Sequence, residues 1–376
     1  MADLLDERIV RIEKVMLKSR RPRFVGVNSK GGPGGNIVTD HVVRIHTDSG
    51  AVGVGWSRIN RKQAEQFLGR QLNELFALPN GCLEAGESID LPLWDLAAKL
   101  SDQPLYKLLG ARGSRQVELY DGSVYIDDLE ADEDEAVAIF QEEVKTGQEH
   151  GFKNFKIKIG RGAKWMPIME GLERDVLVIQ TIREAAGSDA KILVDANNGT
   201  TLNIAQEILK QCESARIYWF EEAFHEERGF NEPFKAFIQA SGYDTYVADG
   251  ESKPPSNFFD MVERGWIDIV QHDFRARGLT WWKATADMIA PWGAQCAPHC
   301  WGSIIERYVH AHFAASIPNF CLLEAAPADT QGVVLDGWDF RDGHLIVPDT
   351  PGTGFDLAPE TIARGTREEG GFCIFI

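Results

Sequence analysis

The chain has no stretch approaching the roughly 18 consecutive apolar residues that a membrane-spanning helix needs. Its first residues, Met1-Ala2-Asp3-Leu4-Leu5-Asp6-Glu7-Arg8, lack the basic start and apolar centre of a secretory signal. Both absences point to a cytoplasmic protein with no membrane partner. Cysteine is scarce: six residues lie scattered among 376, without the paired spacings of a disulfide framework, which fits a reducing compartment. Cys296 and Cys300 flank His299, but a structural zinc wants a second ligand pair and none lies nearby in sequence. Positive charge is also short, with 39 Lys and Arg against 57 Asp and Glu and a formal net charge of −18. That balance argues against nucleic acid or an anionic membrane surface as partner. The 44% hydrophobic and 26% charged composition excludes a disordered or fibrous chain. At roughly 150 residues per domain, the length allows two to three units, or one barrel with an accessory domain.

Segments 8–17 and 41–56 read as strands, the second turning at Asp48-Ser49-Gly50, and together they suggest an antiparallel meander. Between them, Ser29-Lys30-Gly31-Gly32-Pro33-Gly34-Gly35-Asn36 is expected to be a mobile loop, because four glycines and a proline fit neither helix nor strand. Helical patterns follow over 61–78 and 87–110, the latter stopping at Gly110. From about residue 116 the texture changes to eight short apolar or alternating runs separated by amphipathic segments. They are 117–120, 155–159, 192–195, 217–221, 246–251, 267–273, 294–299 and 320–324. Eight such runs predict parallel strands in a closed barrel. Residues 333–347 read as a hairpin, after which the tail is expected to return to the first unit. The domain boundaries that follow are 1–115, 116–325 and 326–376.

Seven of the eight runs carry an ionisable residue at or near the C-terminal end: Lys156 and Lys158, Asp195, Glu221, Glu251, Asp273, His299 and Glu324. In a (β/α) barrel those ends converge on one mouth, where active sites lie. Isolated buried charges would be costly, whereas grouped around a cation and an anionic substrate they offset one another. Asp195, Glu221 and Glu251 end three consecutive runs, and three hard oxygen donors converging on one point suit Mg²⁺. Glu222 and Asp249 compete for two of these places. Lys156 and Lys158 are two apart, so strand alternation points both into the barrel. Beside a metal and a second ammonium, a lysine is expected to lose basicity and to serve as a general base. Asp273 would fix the tautomer of His299 and make it a second acid/base group across the barrel. Histidines 272, 310, 312 and 344 have no such placement and read as structural or surface residues.

This serial order resembles the enolase superfamily, in its mandelate racemase subgroup, over nearly the whole chain. The resemblance runs from Leu93-Trp94-Asp95-Leu96-Ala97-Ala98-Lys99 through Lys156-Ile157-Lys158, Val194-Asp195-Ala196-Asn197, Trp219-Phe220-Glu221-Glu222 and Gly250-Glu251-Ser252. It continues to the Asp273 and His299 dyad and to Glu324 on the last strand. It implies a modified (β/α)7β TIM-type barrel, with an α+β capping domain formed by the N-terminal region and the C-terminal tail. It also implies Mg²⁺, and removal of the proton α to a carboxylate through a metal-stabilised enolate. Lys156 would then stabilise the intermediate, Glu324 would donate a hydrogen bond to it if protonated, and Asn197 would face the site. A homo-oligomer, dimer or octamer, is the further implication.

Departures bear on substrate more than on chemistry. The sixth run has no lysine, unlike the muconate-lactonizing and dipeptide-epimerase subgroups. Ala223 follows Glu222 where the family usually has proline, and Arg277-Gly278 stands where Gly-Gly is common. Specificity is expected from segments 18–36 and 53–60, with Arg21, Arg23 and Lys30 as contacts for a polyhydroxy acid or a further carboxylate. The leading expectation is a dehydratase acting on a small carboxylate, an acid sugar, to give a 2-keto-3-deoxy acid. The alternative is a two-base racemase or epimerase of a 2-hydroxy acid. A non-catalytic scaffold would show a decayed site, whereas every motif position is filled. A binuclear hydrolase would want a His-x-His early in the barrel, and the first run has no histidine.

Overall fold

A computed structural model describes residues 6–376. The chain opens with the strand Ile9–Arg20, which pairs antiparallel with Ile37–Thr47. Gly50, at φ 89°, turns the chain back into the strand Val52–Trp56. One face of this meander is covered by the helix Asp90–Leu100, in which Leu91, Trp94, Leu96 and Ala98 are all buried. Two helical expectations shrink. Over 61–78 only Arg61–Glu65 is α-helical, because Gly69 takes φ 78°, and a 3-10 turn and a short hairpin follow. Over 87–110 the helix breaks at Asp102, whose φ is 49°, and the single turn Leu105–Leu108 that follows Pro104 stops before Gly110, at φ 121°.

The second unit is a closed parallel barrel. Its strands are Gln116–Val124, Asn154–Lys158, Ile192–Asp195, Ile217–Glu221, Tyr246–Asp249, Ile269–Val270, Gln295–Cys296 and Leu323–Ala325. Each pairs with the next in parallel, and Leu323 opposite Leu119 together with Phe320 opposite Cys296 closes the circle. Helices follow the first seven strands, and the chain has none directly after the eighth. They start where the sequence supplies caps: Asp132 and Glu135 form a reciprocal capping box, and Thr201 accepts from Ile204 N. The barrel interior is filled by Tyr120, Leu193, Trp219, Ala248, Ile269, Ala297 and Leu322, so it is a packed floor beneath the mouth and not a pore.

The C-terminal segment joins the two units. The hairpin Asp339–Arg341 and His344–Ile346 extends the first barrel strand, with Ile346 opposite Gln116. The last strand, Phe372–Phe375, lies antiparallel on Ile9–Arg20, with Phe372 opposite Lys14. Asp95 ties the capping unit to the C-terminal segment: its buried carboxylate accepts from Val54 N at 2.8 Å and from Thr353 N at 2.7 Å, and pairs with Lys99 of its own helix at 2.7 Å. Among the described residues no helix is long and apolar enough to cross a membrane.

Candidate active site

Strand register assembles the site. Lys158 stands opposite Asp195, Asp195 opposite Glu221, and Asp273 bridges to His299, each just beyond the end of its strand. Asp195, Glu221 and Glu251 each present an oxygen to one point, the three atoms within 4.8 Å of one another, and all three residues are buried. Glu221 is oriented by Trp219 Nε1 at 3.0 Å and Gln271 Nε2 at 2.9 Å, which both donate to its Oε2. Glu251 reaches the group because the strand ends at Asp249 and Gly250 takes φ 117°, a conformation that favours glycine. That turn breaks the alternation that put Asp249 and Glu251 on one face. Asp249 stays buried, its pKa pushed well up by burial and by Glu226 and Glu222. Glu222 is engaged elsewhere, accepting from Asn197 Nδ2 and Asn198 Nδ2 at 2.9 Å each and from Lys30 Nζ at 3.4 Å.

The trio fits a divalent cation. Burial, with Glu222 and Asp195 as further causes, lifts Glu251 to about 8, and burial and Asp195 push Glu221 well above the carboxylate range. Glu251 Oε1 is buried without a hydrogen-bond partner. A hard cation relieves the crowding and satisfies the orphaned oxygen together, and this is a donor set for Mg²⁺. A second buried group, Cys300, Glu306 and His310, also brings ligand atoms within 4.8 Å of each other. There the Arg275 guanidinium, 3.2 Å from Glu306, already occupies the place of a cation. Cys296 lies apart from that group, with Asn319 as its polar neighbour.

Both lysines point inward, as alternation requires. Lys156 Nζ lies 2.6 Å from Glu221, 3.1 Å from Glu324 and 3.6 Å from Asp195. Lys158 Nζ donates to Asp195 and stands 5.2 Å from the Tyr125 ring centre. Its pKa differs from the expectation: burial lowers it, but the Asp195 carboxylate together with Tyr125 and Glu251 outweighs this and the net shift is upward. A divalent cation on Asp195 neutralises the charge responsible. Glu324 also differs, since burial raises its pKa but Lys156, His299 and the Cys300 amide bring it down to about 2. In this arrangement its Oε2 accepts from Cys300 N at 2.7 Å. Gly122 makes room for it: a Cβ there would meet Glu324 Oε1 at 2.6 Å.

On the other side of the trio, His299 Nδ1 and Asp273 Oδ1 are 2.6 Å apart. Burial raises the Asp273 pKa, and the bond and charge of His299, with Ser252 N and Arg275, together turn the net shift downward. His299 Nε2 faces inward, 3.5 Å from Glu251 Oε1 and 4.0 Å from Glu324 Oε2. Asn197, buried beside the mouth, donates its backbone N–H to Asp195 Oδ1 at 2.8 Å. Histidines 310 and 312 are fully buried in the helix after the seventh strand, and His272 is buried against Gly250 O.

The capping loop lies docked on the barrel and is not the free loop its composition predicts. Ser29 Oγ donates to Ala196 O at 2.6 Å, and Trp165 Nε1 to Asn28 O at 2.8 Å. Arg21 donates to Gly34 O and Gly35 O and covers the Trp301 ring at 4.2 Å, beside His299. Arg23 turns to the barrel wall, with Ser123 O at 2.7 Å and Glu143 at 3.0 Å. Of the three cationic loop residues, only Lys30 keeps an ammonium 47% exposed at the rim. The second expected specificity segment lines a groove of about 870 Å³, with Trp56, Arg58, Arg277 and Trp281 on its walls and Asp273 at its edge. Tyr125, Trp301, Gln271 and Arg275 escaped the sequence reading, because each acts through a contact distant in the chain.

Residues 140–361 match the family model for the enolase C-terminal domain-like fold. A solved mandelate racemase/muconate lactonizing protein from Geobacillus sp. Y412MC10, complexed with magnesium and tartrate, is 33% identical, with a TM-score of 0.94 and 99% of this chain and 98% of that one covered. A galacturonate dehydratase from Geobacillus sp., complexed with D-galacturonate and 5-keto-4-deoxy-D-galacturonate, is 34% identical, with a TM-score of 0.91 and coverage of 98% and 99%. The arabinonate dehydratase of Saccharolobus solfataricus is 29% identical over 290 residues, 75% of this chain and 70% of that protein. With a closed barrel, three carboxylates on consecutive strands and the Lys-x-Lys and His-Asp groups facing them, the chain belongs to the mandelate racemase subgroup of the enolase superfamily.

Proposed function

We propose that the protein is an Mg²⁺-dependent acid-sugar dehydratase, a hydro-lyase that converts a sugar carboxylate to its α-keto, β-deoxy acid. The observation that carries this reading is the pair of acid/base side chains, Lys158 against Asp195 and His299 against Glu251, set on either side of one buried trio of carboxylates. Bound at Asp195, Glu221 and Glu251, Mg²⁺ supplies a Lewis acid for the charge that develops on the substrate carboxylate. Lys156, fixed among Glu221, Glu324 and Asp195, adds a permanent positive charge for the same oxygens. Lys158 or His299 takes the proton from the carbon next to the carboxylate. The hydroxyl on the following carbon leaves as water with a proton from His299 or another acid, and the resulting enol tautomerises to the ketone. His299 suits the delivery of that proton because Asp273 holds Nδ1 and leaves Nε2 facing the site.

Hexuronates are the first substrates to test. The solved relative complexed with D-galacturonate and 5-keto-4-deoxy-D-galacturonate covers 98% of this chain, and in that pair the ketone lies next to the carboxylate-bearing end. Curated relatives named for aldonates and aldarates widen the panel to arabinonate, galactonate and galactarate. Proton NMR in D₂O with Mg²⁺ and these acids separates the readings. New methylene signals beside a ketone support dehydration. Deuterium at the α-carbon with the skeleton intact would replace it by racemisation or epimerisation, which the same two bases could also serve. The reading places the protein in a reducing cytoplasm, in keeping with six unpaired cysteines, and as a homo-oligomer whose order light scattering would give.

A further inference from the structure

The seventh barrel strand ends early, at Cys296, so His299 stands beyond it with only a single bridge to Asp273. What holds it is the segment that follows. Cys300 N donates to Glu324 at 2.7 Å. The carbonyls of Trp301 and Gly302 both accept from the Arg275 guanidinium. Ser303 Oγ and Ile304 N donate to the buried carboxylate of Asp40, the latter at 2.9 Å. Every residue from 300 to 304 is thus gripped by a charged side chain from another part of the fold.

Two of those grips come from elements that bear on the chemistry. Arg275 follows Asp273 by two residues, pairs with Glu306 at 3.2 Å and stands 5.4 Å over Trp56 of the cap. Asp40 lies on the capping strand Ile37–Thr47. Trp301, the residue Arg275 holds, stacks on Tyr125 at 4.6 Å, and Tyr125 lies beneath Lys158. We infer that Arg275 and Asp40 are positioning residues for His299. Together they fix residues 300–304 so that the imidazole faces the carboxylate trio while the capping sheet is seated on the barrel. Arginine suits this position because one planar fork reaches two carbonyls and a carboxylate at once, which a lysine ammonium cannot do.

The kinetic part of the test rests on the dehydratase reading; the spectroscopic part does not. In the full chain with ¹⁵N-labelled histidine and Mg²⁺, the ring N–H held by Asp273 is assigned as the signal missing from His299→Asn. It is expected to shift or broaden in both Arg275→Lys and Asp40→Asn, and an unchanged signal in both variants overturns the inference. With an active substrate, Arg275→Lys is expected to lower kcat at least about tenfold, as loss of a supporting hydrogen bond does. KM should stay within about threefold. Millimolar guanidinium should restore part of the activity of Arg275→Ala. Wild-type kcat in Arg275→Lys would also overturn it, as would loss of Mg²⁺-dependent thermal stabilisation in parallel with kcat, which is the mark of general unfolding. Failure of the wild-type chain to turn over any acid sugar would sink the dehydratase reading alone, and the histidine signal would still decide this one.

Discussion

Glu221 shows how much one side chain in this barrel does. It lends an oxygen to the cation site, receives Lys156 at 2.6 Å and is steered by Trp219 and Gln271. Replacing it by Gln keeps the shape and removes the charge that the cation needs. The wild-type chain is expected to gain about 2.7 kcal/mol of stability when Mg²⁺ reaches about a hundred times its Kd. In Glu221→Gln that gain should vanish, which a thermal melt with and without EDTA reads directly; a retained gain would remove Glu221 from the cation site. His299 separates binding from chemistry. His299→Asn should keep the Mg²⁺-dependent melting shift while turnover falls by about 10²- to 10⁴-fold, the usual contribution of a general acid or base. Full turnover in that variant would refute the dyad assignment.

At the scale of elements, the joint between cap and barrel rests on Asp90, at the start of the helix Asp90–Leu100. Its buried carboxylate accepts from Leu279 N at 2.5 Å, from Thr280 N at 3.3 Å and from Thr280 Oγ1. The receiving helix, Phe274–Ile289, is kinked at Gly278, where φ is 78° and a Cβ would come within 2.9 Å of the Asp90 carboxylate. Asp90→Ala leaves three donors without a partner and is expected to cost about 3 kcal/mol in urea unfolding, with barrel-mouth chemistry affected less than stability. A change below about 0.5 kcal/mol would mean that water replaces the carboxylate. This joint also shows what the sequence discloses. The retained glycine at 278 was visible, but the carboxylate that needs it lies 188 positions away, at Asp90. Likewise the eight runs revealed the strands because parallel barrel strands are short and apolar, and their polar ends revealed the mouth. Periodicity failed where local backbone geometry overrides it, at Gly69, Asp102 and Gly250. Composition failed for the glycine-rich loop, because Ser29 and Asn28 find partners on the barrel that no local pattern announces.

For the whole molecule, His312 joins barrel, connecting turn and tail. Its Nδ1 accepts from Tyr106 N at 3.2 Å and its Nε2 donates to Thr353 O at 3.2 Å, so only the neutral imidazole serves both partners. Burial pushes its pKa down to about 3, against an ordinary value of 6.5. The unfolded chain therefore takes up a proton that the folded chain refuses. The stability this group contributes is present above pH 6.5 and is lost as pH falls towards the folded value of about 3. Glu306 works with the opposite sign, because burial lifts it to about 8, so the acid unfolding curve of the intact protein mixes the two effects. Comparing wild type with His312→Gln isolates the histidine. The stability difference between them should shrink by about 1.4 kcal/mol for each pH unit below about 6.5, as urea midpoints at a series of pH values would show. A difference that stays constant from neutral pH down to about 5 would mean that His312 accepts its proton in the folded state as readily as in the unfolded one, and that the link from barrel to tail does not depend on a neutral ring.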